Sequence, residues 1–233
     1  MARCPFARWV PSPKPALGYV ATPWKVVHHK TIGLSENAAG LYTPTGSWPH
    51  FTVGRSGIQQ HIDTDTAAFA LEHRAGTPET NRARAIQIEL VAIVAVPAHR
   101  DSLAHLNQLL RWLETAHGIP WTWPSGRPRT ATANGRDPGG HNRSATNWRS
   151  MPGHYGHSQV PANSHWDPFY YDEEWAAIQP ARGGETFLTN EEALAHLDRH
   201  IDDAIKDAKV HAEQIRDQLL ARIEALDAKF SRP

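Results

Sequence analysis

The alternation of apolar and polar residues predicts several β-strands in the N-terminal half of the chain. The run WKVVHHKTIG over residues 24–33 is rich in β-branched residues and begins like a strand. The runs HFTVG over 50–54 and IQQHID over 58–63 are separated by Ser56 and Gly57, a combination that predicts a hairpin. AIQIELVAIVAV over 85–96 is the most strand-like run and is long enough to be a central, buried strand.

Helical patterns appear in two further segments of this part of the chain. Residues 65–73, DTAAFALEH, predict a short helix. Over residues 100–117 leucines recur at steps of three and four, and Gly118 follows as a stop signal. Together with the strands, these helices predict an α/β fold over residues 1–181, in which helices pack on a mixed central sheet.

The long segment 121–153 is rich in Gly, Pro, Arg, Thr, Ser and Asn and shows no regular pattern. A segment of that length without regular structure is unusual in a compact domain and often marks a functional loop. Trp121, Trp123 and Trp148 lie in it. These side chains either stack on sugar rings or fix the loop to the core, and the sequence leaves both interpretations open.

The last segment, 186–233, differs from the rest of the chain. Thr189 with Glu192 three residues later forms a capping-box pattern, and no Gly or Pro follows before Pro233. Apolar residues recur there at steps of three and four, which predicts one long amphipathic helix. Either part of this helix packs on the domain while the rest pairs with another chain or folds back, or the helix is a dedicated oligomerisation or targeting appendage. Both interpretations allow a homo-oligomer.

Composition excludes several classes of partner. Lys and Arg together number 24, as do Asp and Glu, so the formal net charge is zero and no basic field favours nucleic acid or an anionic membrane. No run approaches the roughly 18 apolar residues of a membrane-inserted helix. The lone Cys4 excludes an intramolecular disulfide framework, and the N-terminal segment lacks the apolar run of a signal peptide. We therefore expect synthesis in a reducing cytoplasm, which is also compatible with release by lysis.

Residues 154–168, HYGHSQVPANSHWDP, carry potential metal ligands on a segment that its Gly, Pro and Asn content predicts to be a loop. A catalytic zinc takes three protein ligands, such as imidazole and carboxylate groups, and one water. His157 and Asp167 are far enough apart for a loop to bring both onto one ion. The pair His28 and His29 at the end of a predicted strand is the obvious source of the third ligand. Only one of the two can face the metal, because adjacent strand residues point to opposite faces.

Four motifs occur in one order over residues 25–168: VVHHKTIG, PHFTVG with the returning IQQHID, TNRARAIQIEL, and GHSQVPANSHWDP. In this order they resemble the zinc-dependent N-acetylmuramoyl-L-alanine amidases of type 2, which share a fold with the peptidoglycan recognition proteins. The resemblance is closest to the amidase domains of endolysins from phages of actinobacteria. Together the four motifs are specific, whereas any one of them alone is a weak signal.

The resemblance implies a zinc site made of two histidines and one aspartate. The first ligand is the histidine of a His-x-Thr motif, which fits His29, with His28 as the alternative. The second is His157, because only this histidine precedes Ser-x-Val-Pro, although His154 lies in a near-copy of the motif. The third is Asp167, and such a ligand set suits zinc.

The resemblance also assigns roles to residues around the metal. Glu89 matches the family's acidic residue on the central strand, which takes a proton from the zinc-activated water and passes one to the departing amine. His165 stands where many relatives carry a lysine, and it would donate to the oxyanion that develops during attack. His50 and the loop around Asn81 are expected near the substrate groove.

The chain departs from the family's pattern at two further positions. Pro49 stands where some relatives have a tyrosine that lines the site, and Phe169 stands where glycine is usual. These departures bear on substrate contacts more than on the metal.

The implied reaction is hydrolysis of the amide between N-acetylmuramic acid and L-alanine in peptidoglycan. An endolysin of this kind stays in the host cytoplasm until lysis and then acts on the cell wall. Two other functions remain open, namely a peptidoglycan-binding module that does not cut and an amidase for soluble muropeptides in cell-wall recycling. The complete set of three ligands argues against the first alternative, while the lack of an obvious wall-binding domain allows the second.

Overall fold

The structure, a computed structural model, describes residues 3–20, 23–94 and 96–180. Within these ranges one sheet is built from six strands, which are β1 (Arg8–Trp9), β2 (Lys25–Lys30), β3 (Phe51–Gly54), β4 (Gly57–Gln60), β5 (Ala85–Leu90) and β6 (Gly153–Gly156). The helices are α1 (Ala38–Tyr42), α2 (Arg100–His117), α3 (Ala145–Ser150) and α4 (Asp172–Ile178). A 3₁₀ turn at His157–Gln159 follows β6.

The strand order across the sheet is β1-β4-β3-β5-β2-β6. Strands β3, β5, β2 and β6 are parallel to one another, β4 returns antiparallel to β3 as the predicted hairpin, and β1 pairs parallel with β4. The prediction of a mixed sheet with flanking helices is therefore confirmed. Because β2, β5 and β6 run in one direction, their carboxyl ends meet at one edge of the sheet.

The two longest predicted strands end earlier than their apolar patterns suggest. The run 24–33 forms a strand only to Lys30, and the run 85–96 forms one only to Leu90, directly beside it. Ile32 has a φ of 52°, which turns β2 out of the sheet. Strand β5 therefore has no neighbouring strand on this side beyond Leu90, and the β2–β5 ladder ends there. Gly33 still donates a hydrogen bond to the Ala92 carbonyl.

Helix α2 covers one face of the sheet, as its leucine spacing predicts. The side chains that it buries include Leu103, Leu106, Leu109, Leu110 and Leu113. They pack against the apolar residues of β3 and β5 that point to the same side, such as Val53 and Ile88. Gly118 ends the helix with a φ of 62°, a left-handed conformation that glycine adopts without strain. The opposite face of the sheet is left to loops and to a smaller cluster around Trp148.

The predicted helix over 65–73 is wrong. This segment is irregular, and its backbone N–H groups bond to partners distant in sequence instead of to one another. Ala67 and Phe69 donate to the carbonyls of Leu17 and Trp48, at 2.7 and 2.8 Å. The N–H groups of Ala70 and Leu71 bond to the side-chain oxygens of Gln87 on β5 and of Asn81. Tertiary hydrogen bonding overrides local helix propensity here.

The segment 121–153 is irregular except for α3 and the first residue of β6. Trp148 is buried and donates its indole N–H to the Glu79 carbonyl at 2.8 Å. Trp121 and Trp123 pack against the main core. The tryptophans therefore fix this loop to the domain, which is one of the two interpretations that the sequence left open.

The predicted helix over 186–233 lies outside the described residues, and both interpretations of it stay predictions. Among the helices that the structure does describe, none combines the length and the apolar character that a membrane crossing requires.

A fully buried ion pair joins α4 to β2. The Lys30 ammonium donates to both carboxylate oxygens of Glu174, at 2.7 and 2.8 Å, and both side chains have no exposed area. Glu174 also accepts the backbone N–H groups of Ala98 and Tyr171. The Lys30 ammonium lies 4.5 Å from the centre of the Phe169 ring. Two buried charges are tolerated here because they are paired with each other and the carboxylate also accepts two backbone N–H groups.

We expect Lys30→Met to lower the free energy of unfolding by about 3 to 5 kcal/mol, because it leaves the Glu174 charge buried without its partner. The double variant Lys30→Met/Glu174→Gln should recover part of this loss, since glutamine is neutral, although its single oxygen can accept from only one of the Ala98 and Tyr171 N–H groups. The measurement is urea unfolding followed by circular dichroism at equal metal content. Arg74→Met is the control, because it removes an exposed ion pair with Glu72 and should cost less than about 1 kcal/mol. An equally small loss for Lys30→Met would contradict the expectation.

Candidate metal centre

Three potential metal ligands converge at the carboxyl edge of the sheet. The ligand atoms of His29, His157 and Asp167 all lie within 4.8 Å of one another, and all three residues are buried. One Asp167 carboxylate oxygen is 3.3 Å from Nδ1 of His157, and the other is 3.8 Å from Nδ1 of His29. The two imidazole ring centres are 4.3 Å apart. This arrangement is compact enough for one ion to contact all three side chains.

Each ligand is positioned by regular structure. His29 is the next-to-last residue of β2, and His157 directly follows β6, the strand beside it. Asp167 is held against both, because its carboxylate accepts the Lys30 backbone N–H at 3.1 Å and its carbonyl accepts the Ser158 N–H at 2.8 Å. The hydrogen bonds of Asp167 therefore hold the two ends of the 157–167 loop together and against β2.

His28, the alternative first ligand, points to the other face of the sheet. Its Nδ1 is 2.9 Å from the Tyr170 hydroxyl and its Nε2 is 3.0 Å from Nδ1 of His154. Trp123 packs against its ring. His28 and His154 therefore belong to a buried network on the α2 side, and the structure brings His29 and not His28 to the other two ligands.

The Asn163 side chain determines which ring nitrogen of His157 carries the proton. Its Nε2 is 2.9 Å from the Asn163 side-chain oxygen, which also accepts the Glu72 backbone N–H. The Asn163 amide nitrogen donates to the carbonyls of Pro161 and Glu72, so the orientation of the amide is fixed. The Asn163 oxygen can only accept, so Nε2 of His157 carries the proton. The lone pair of Nδ1 is then free and faces Asp167, as a metal ligand requires.

The charge states of the other two ligands also suit a metal ion. Burial raises the pKa of the Asp167 carboxyl, and the hydrogen bond from the Lys30 N–H opposes this by stabilising the ionised form, while positive charge on the His157 or His29 ring would lower this pKa further. Burial lowers the pKa of His29 well below its usual value, so the ring is neutral near pH 7. Its Nε2 is buried and has no hydrogen-bond partner among the described residues, which fits a ring that serves a metal.

Glu89 lies beside this ligand set. It pairs with His29 across β5 and β2, and one carboxylate oxygen is 3.8 Å from Nδ1 of His29. Its other oxygen is buried and has no hydrogen-bond partner among the described residues. Burial, and secondarily the charge of Asp167, raise the pKa of Glu89 well above its usual value. A carboxyl that binds its proton more tightly than usual is a candidate general acid and base.

A cavity of about 410 Å³ opens over these residues, with Glu89, His157, His165 and Asp167 in its wall. The His165 ring stacks on His157 at 4.7 Å with an angle of 11° between the planes, and its side chain is 57% exposed. Arg143 holds the backbone carbonyl of His165 at 2.8 Å. His165 therefore borders both the candidate metal centre and solvent, where a donor to substrate would have to lie.

The structure does not place His50 and Asn81 in the cavity wall. His50 is fully buried, and its ring nitrogens bond to the Thr66 carbonyl and the Gln87 N–H. Asn81 bonds to the backbone of Leu71 on both sides of its amide. These contacts argue against the predicted substrate contact by either side chain, because their polar atoms are already used to hold loops in place.

Two residues near the site have no signal in the sequence patterns. Asn163, which fixes the proton on His157, is one of several polar residues in a loop. Tyr42 lies in the cavity wall although it comes from α1. Sequence spacing does not predict the neighbours of Asn163 or Tyr42, because the irregular segments of the chain around them determine where these two residues lie.

Comparison with known proteins gives structural likeness only. No protein-family model matches the chain, and no curated protein matches it. Among solved structures, the chain is similar to the hydrolase AmiA of Staphylococcus aureus, solved in complex with its ligand, with a TM-score of 0.50 and 16% identity over 76% of this chain and 83% of that one. This likeness shows that the two proteins share a fold.

Two further solved structures resemble the chain with lower TM-scores. An AmpD derivative aligns with a TM-score of 0.47 and 18% identity, over 76% of this chain and 94% of that one. The N-acetylmuramoyl-L-alanine amidase LysC from Clostridium intestinale aligns with a TM-score of 0.45 and 14% identity, over 75% and 98% of the two chains. The structural neighbours thus include N-acetylmuramoyl-L-alanine amidases.

We expect Asn163→Ala to weaken binding of Zn²⁺, used as the probe ion, by about 10- to 100-fold, because His157 loses the acceptor that fixes its proton on Nε2. The measurement is competition with a chromophoric chelator. His157→Ala should abolish stoichiometric binding. Asn107→Ala on α2 is the control, since its side chain bonds to α4 and the neighbouring segment, far from the centre in the fold. Unchanged affinity in Asn163→Ala would remove this asparagine from the site.

Proposed function

We propose that this protein is a zinc-dependent N-acetylmuramoyl-L-alanine amidase that acts on peptidoglycan. The observation that carries the proposal is the buried set of His29, His157 and Asp167 with the Glu89 carboxyl beside it, at a cavity whose wall includes His157, Asp167 and Glu89. A metal site next to a carboxyl with a raised pKa is the arrangement that metal-assisted hydrolysis requires. The four ordered sequence motifs supply the substrate class.

Zinc is the ion that we propose for the site. Ligands about 2.0 to 2.1 Å from a tetrahedral zinc lie roughly 3.3 Å apart, and the distances from Asp167 to the two histidines are 3.3 and 3.8 Å. Three protein ligands leave one position for water or substrate. When bound, the zinc would polarise the amide carbonyl and lower the pKa of a water molecule.

Glu89 is the residue that we propose as the proton carrier. In the hydrolysis a water oxygen bonds to the lactyl carbonyl carbon, the bond from this carbon to the alanine nitrogen breaks, and one water proton must reach that nitrogen. Glu89 accepts this proton and delivers it to the departing amine. Its raised pKa suits this role, because the carboxyl holds a proton more readily than an exposed glutamate does.

His165 is the proposed donor to the oxyanion that develops on the carbonyl oxygen. Its ring is stacked on a ligand, borders the cavity and is exposed on its outer side, so it can reach a substrate that enters from solvent. A histidine N–H there stabilises charge that exists only in the transition state.

The setting that we propose is that of an endolysin, made in the host cytoplasm and acting on the cell wall after lysis. A homo-oligomer through residues 186–233 would add avidity for a polymeric substrate. Two outcomes would favour the other functions. Binding of muropeptides that survives chelation, without cleavage, indicates a recognition module, and turnover on soluble muropeptides that exceeds turnover on sacculi indicates a recycling enzyme.

We expect Glu89→Gln to lower the rate of amide cleavage on purified sacculi by about 10² to 10⁴-fold while the protein retains one zinc per chain, because glutamine cannot carry the proton. The release of free L-alanine amino termini measures the rate, and elemental analysis measures the metal. Glu173→Gln, an exposed change on α4, is the matched control. Normal cleavage by Glu89→Gln would exclude the proposed role, and absence of cleavage by the zinc-loaded wild type would exclude the function.

For His165→Ala we predict a loss of about 100-fold in kcat with unchanged zinc content, since the side chain acts on the transition state and not on the metal. The comparison uses steady-state kinetics on a soluble muropeptide. His73→Ala, which removes another exposed histidine outside the cavity wall, should have normal kinetics. A change confined to KM would point to a substrate-binding role for His165 instead.

A further inference from the structure

Three side chains form a row on one face of the sheet, and the middle one, Glu89, lies in the cavity wall. Glu89 on β5 is in register with His29 on β2 at one side and with Thr52 on β3 at the other. Register partners in neighbouring parallel strands point to the same face, and neighbouring strands are about 4.8 Å apart. The row therefore runs outward from the candidate metal centre, past the acid and base, to Thr52.

Tyr42 reaches this row from α1. Its hydroxyl is 2.7 Å from the Thr52 hydroxyl, and its ring lies in the cavity wall and packs against Trp48 and His61. The charge of Glu89 contributes to raising the pKa of Tyr42 well above its usual value, second to burial. The phenol oxygen is thus fixed beside the acid and base, on the side away from the metal ligands.

The hydrogen bonds beyond Thr52 have only one possible direction. Nδ1 of His61 is 2.7 Å from the Val10 carbonyl, which can only accept, so this nitrogen carries a proton. Burial lowers the pKa of His61 to about 4, so the ring is neutral and its Nε2 is an acceptor. This Nε2 is 2.9 Å from the Thr52 hydroxyl, which must donate to it.

The direction of these bonds decides what Tyr42 can do. Because the Thr52 proton is used on His61, the Tyr42 hydroxyl must donate to the Thr52 oxygen. A phenol has one proton, so the remaining lone pair of Tyr42 can only accept a hydrogen bond. A tyrosine in a cavity wall commonly donates or accepts as the ligand demands, whereas this one is held as an acceptor by three successive hydrogen bonds.

We propose that the Tyr42 oxygen accepts a hydrogen bond from the first amide N–H of the stem peptide beyond the scissile bond and so selects a peptide on the leaving side. The proposal rests on the proposed function and extends it to substrate selection. The order of His29, Glu89 and Thr52 across the sheet indicates which part of the substrate lies at each position. The carbonyl lies at the metal ligands, the departing nitrogen lies at Glu89, and the next N–H lies one strand further, where Tyr42 presents its acceptor.

The test compares two soluble substrates that differ in one atom group. One is an N-acetylmuramoyl dipeptide, and the other is its analogue with an ester in place of the amide between the two stem residues. For the wild type we expect kcat/KM to be about tenfold lower on the ester, because the donor is missing. Tyr42→Phe should lose about tenfold on the amide and nothing further on the ester, so that it no longer distinguishes the two.

Thr52→Val tests the direction of the hydrogen bonds. Without the Thr52 oxygen, the Tyr42 hydroxyl is free to donate, so this variant should lose activity on the amide and gain on the ester relative to the wild type. Tyr19→Phe is the control, because its hydroxyl bonds to His50 and the Thr64 carbonyl, outside the cavity wall. Zinc content and the near-ultraviolet circular dichroism of each variant report whether the site is intact.

Two results would overturn the proposal. One is equal kcat/KM of the wild type on amide and ester, and the other is an equal loss by Tyr42→Phe on both substrates. If the wild type cleaves neither substrate, the proposed function itself fails. The same pair is then compared by calorimetric binding to the zinc-loaded wild type, where equal affinities would refute the role of Tyr42.

Discussion

The pairing of β2 with β5 on one side and β6 on the other is the constraint on which the site depends. This register sets His29 beside Glu89, and it ends β6 where His157 can turn back over the sheet. A slip of one residue in β2 would exchange its two faces and present His28 instead. Such a slip would also carry Lys30 away from Glu174. The buried ion pair and the ligand set therefore enforce the same register from opposite faces of the sheet.

The site gathers polar groups that a bound cation would suit. The Asp167 carboxyl is buried, Glu89 is close to it, the neighbouring His29 ring is held neutral by burial, and His157 is fixed in one tautomer. The Lys30 backbone N–H stabilises the Asp167 carboxylate, but it does not supply a full positive charge. Two carboxyl groups thus lie close together beside a neutral imidazole, an arrangement that ordinary core packing avoids.

Much of this architecture could be predicted because it is recorded in local patterns. The hairpin, α2 and the central position of the 85–90 strand follow from periodicity and turn residues, and strand alternation already required that only one of His28 and His29 face the metal. The helix predicted over 65–73 was wrong, and His50 and Asn81 lie outside the cavity wall, for one shared reason. Their polar groups are committed to partners far along the chain, and sequence patterns do not record which distant carbonyl or amide captures a given N–H.

The position of the site at the carboxyl ends of parallel strands has a consequence for how this protein can diversify. His29 and Glu89 belong to strands, whereas much of the cavity wall comes from the segment after β2 and from 69–72. Loop residues can be inserted, deleted or exchanged with little effect on strand pairing. Exchange of these two segments would therefore reshape the cavity while the candidate metal ligands stay in place, so the shape of the cavity and the metal centre can evolve at separate rates.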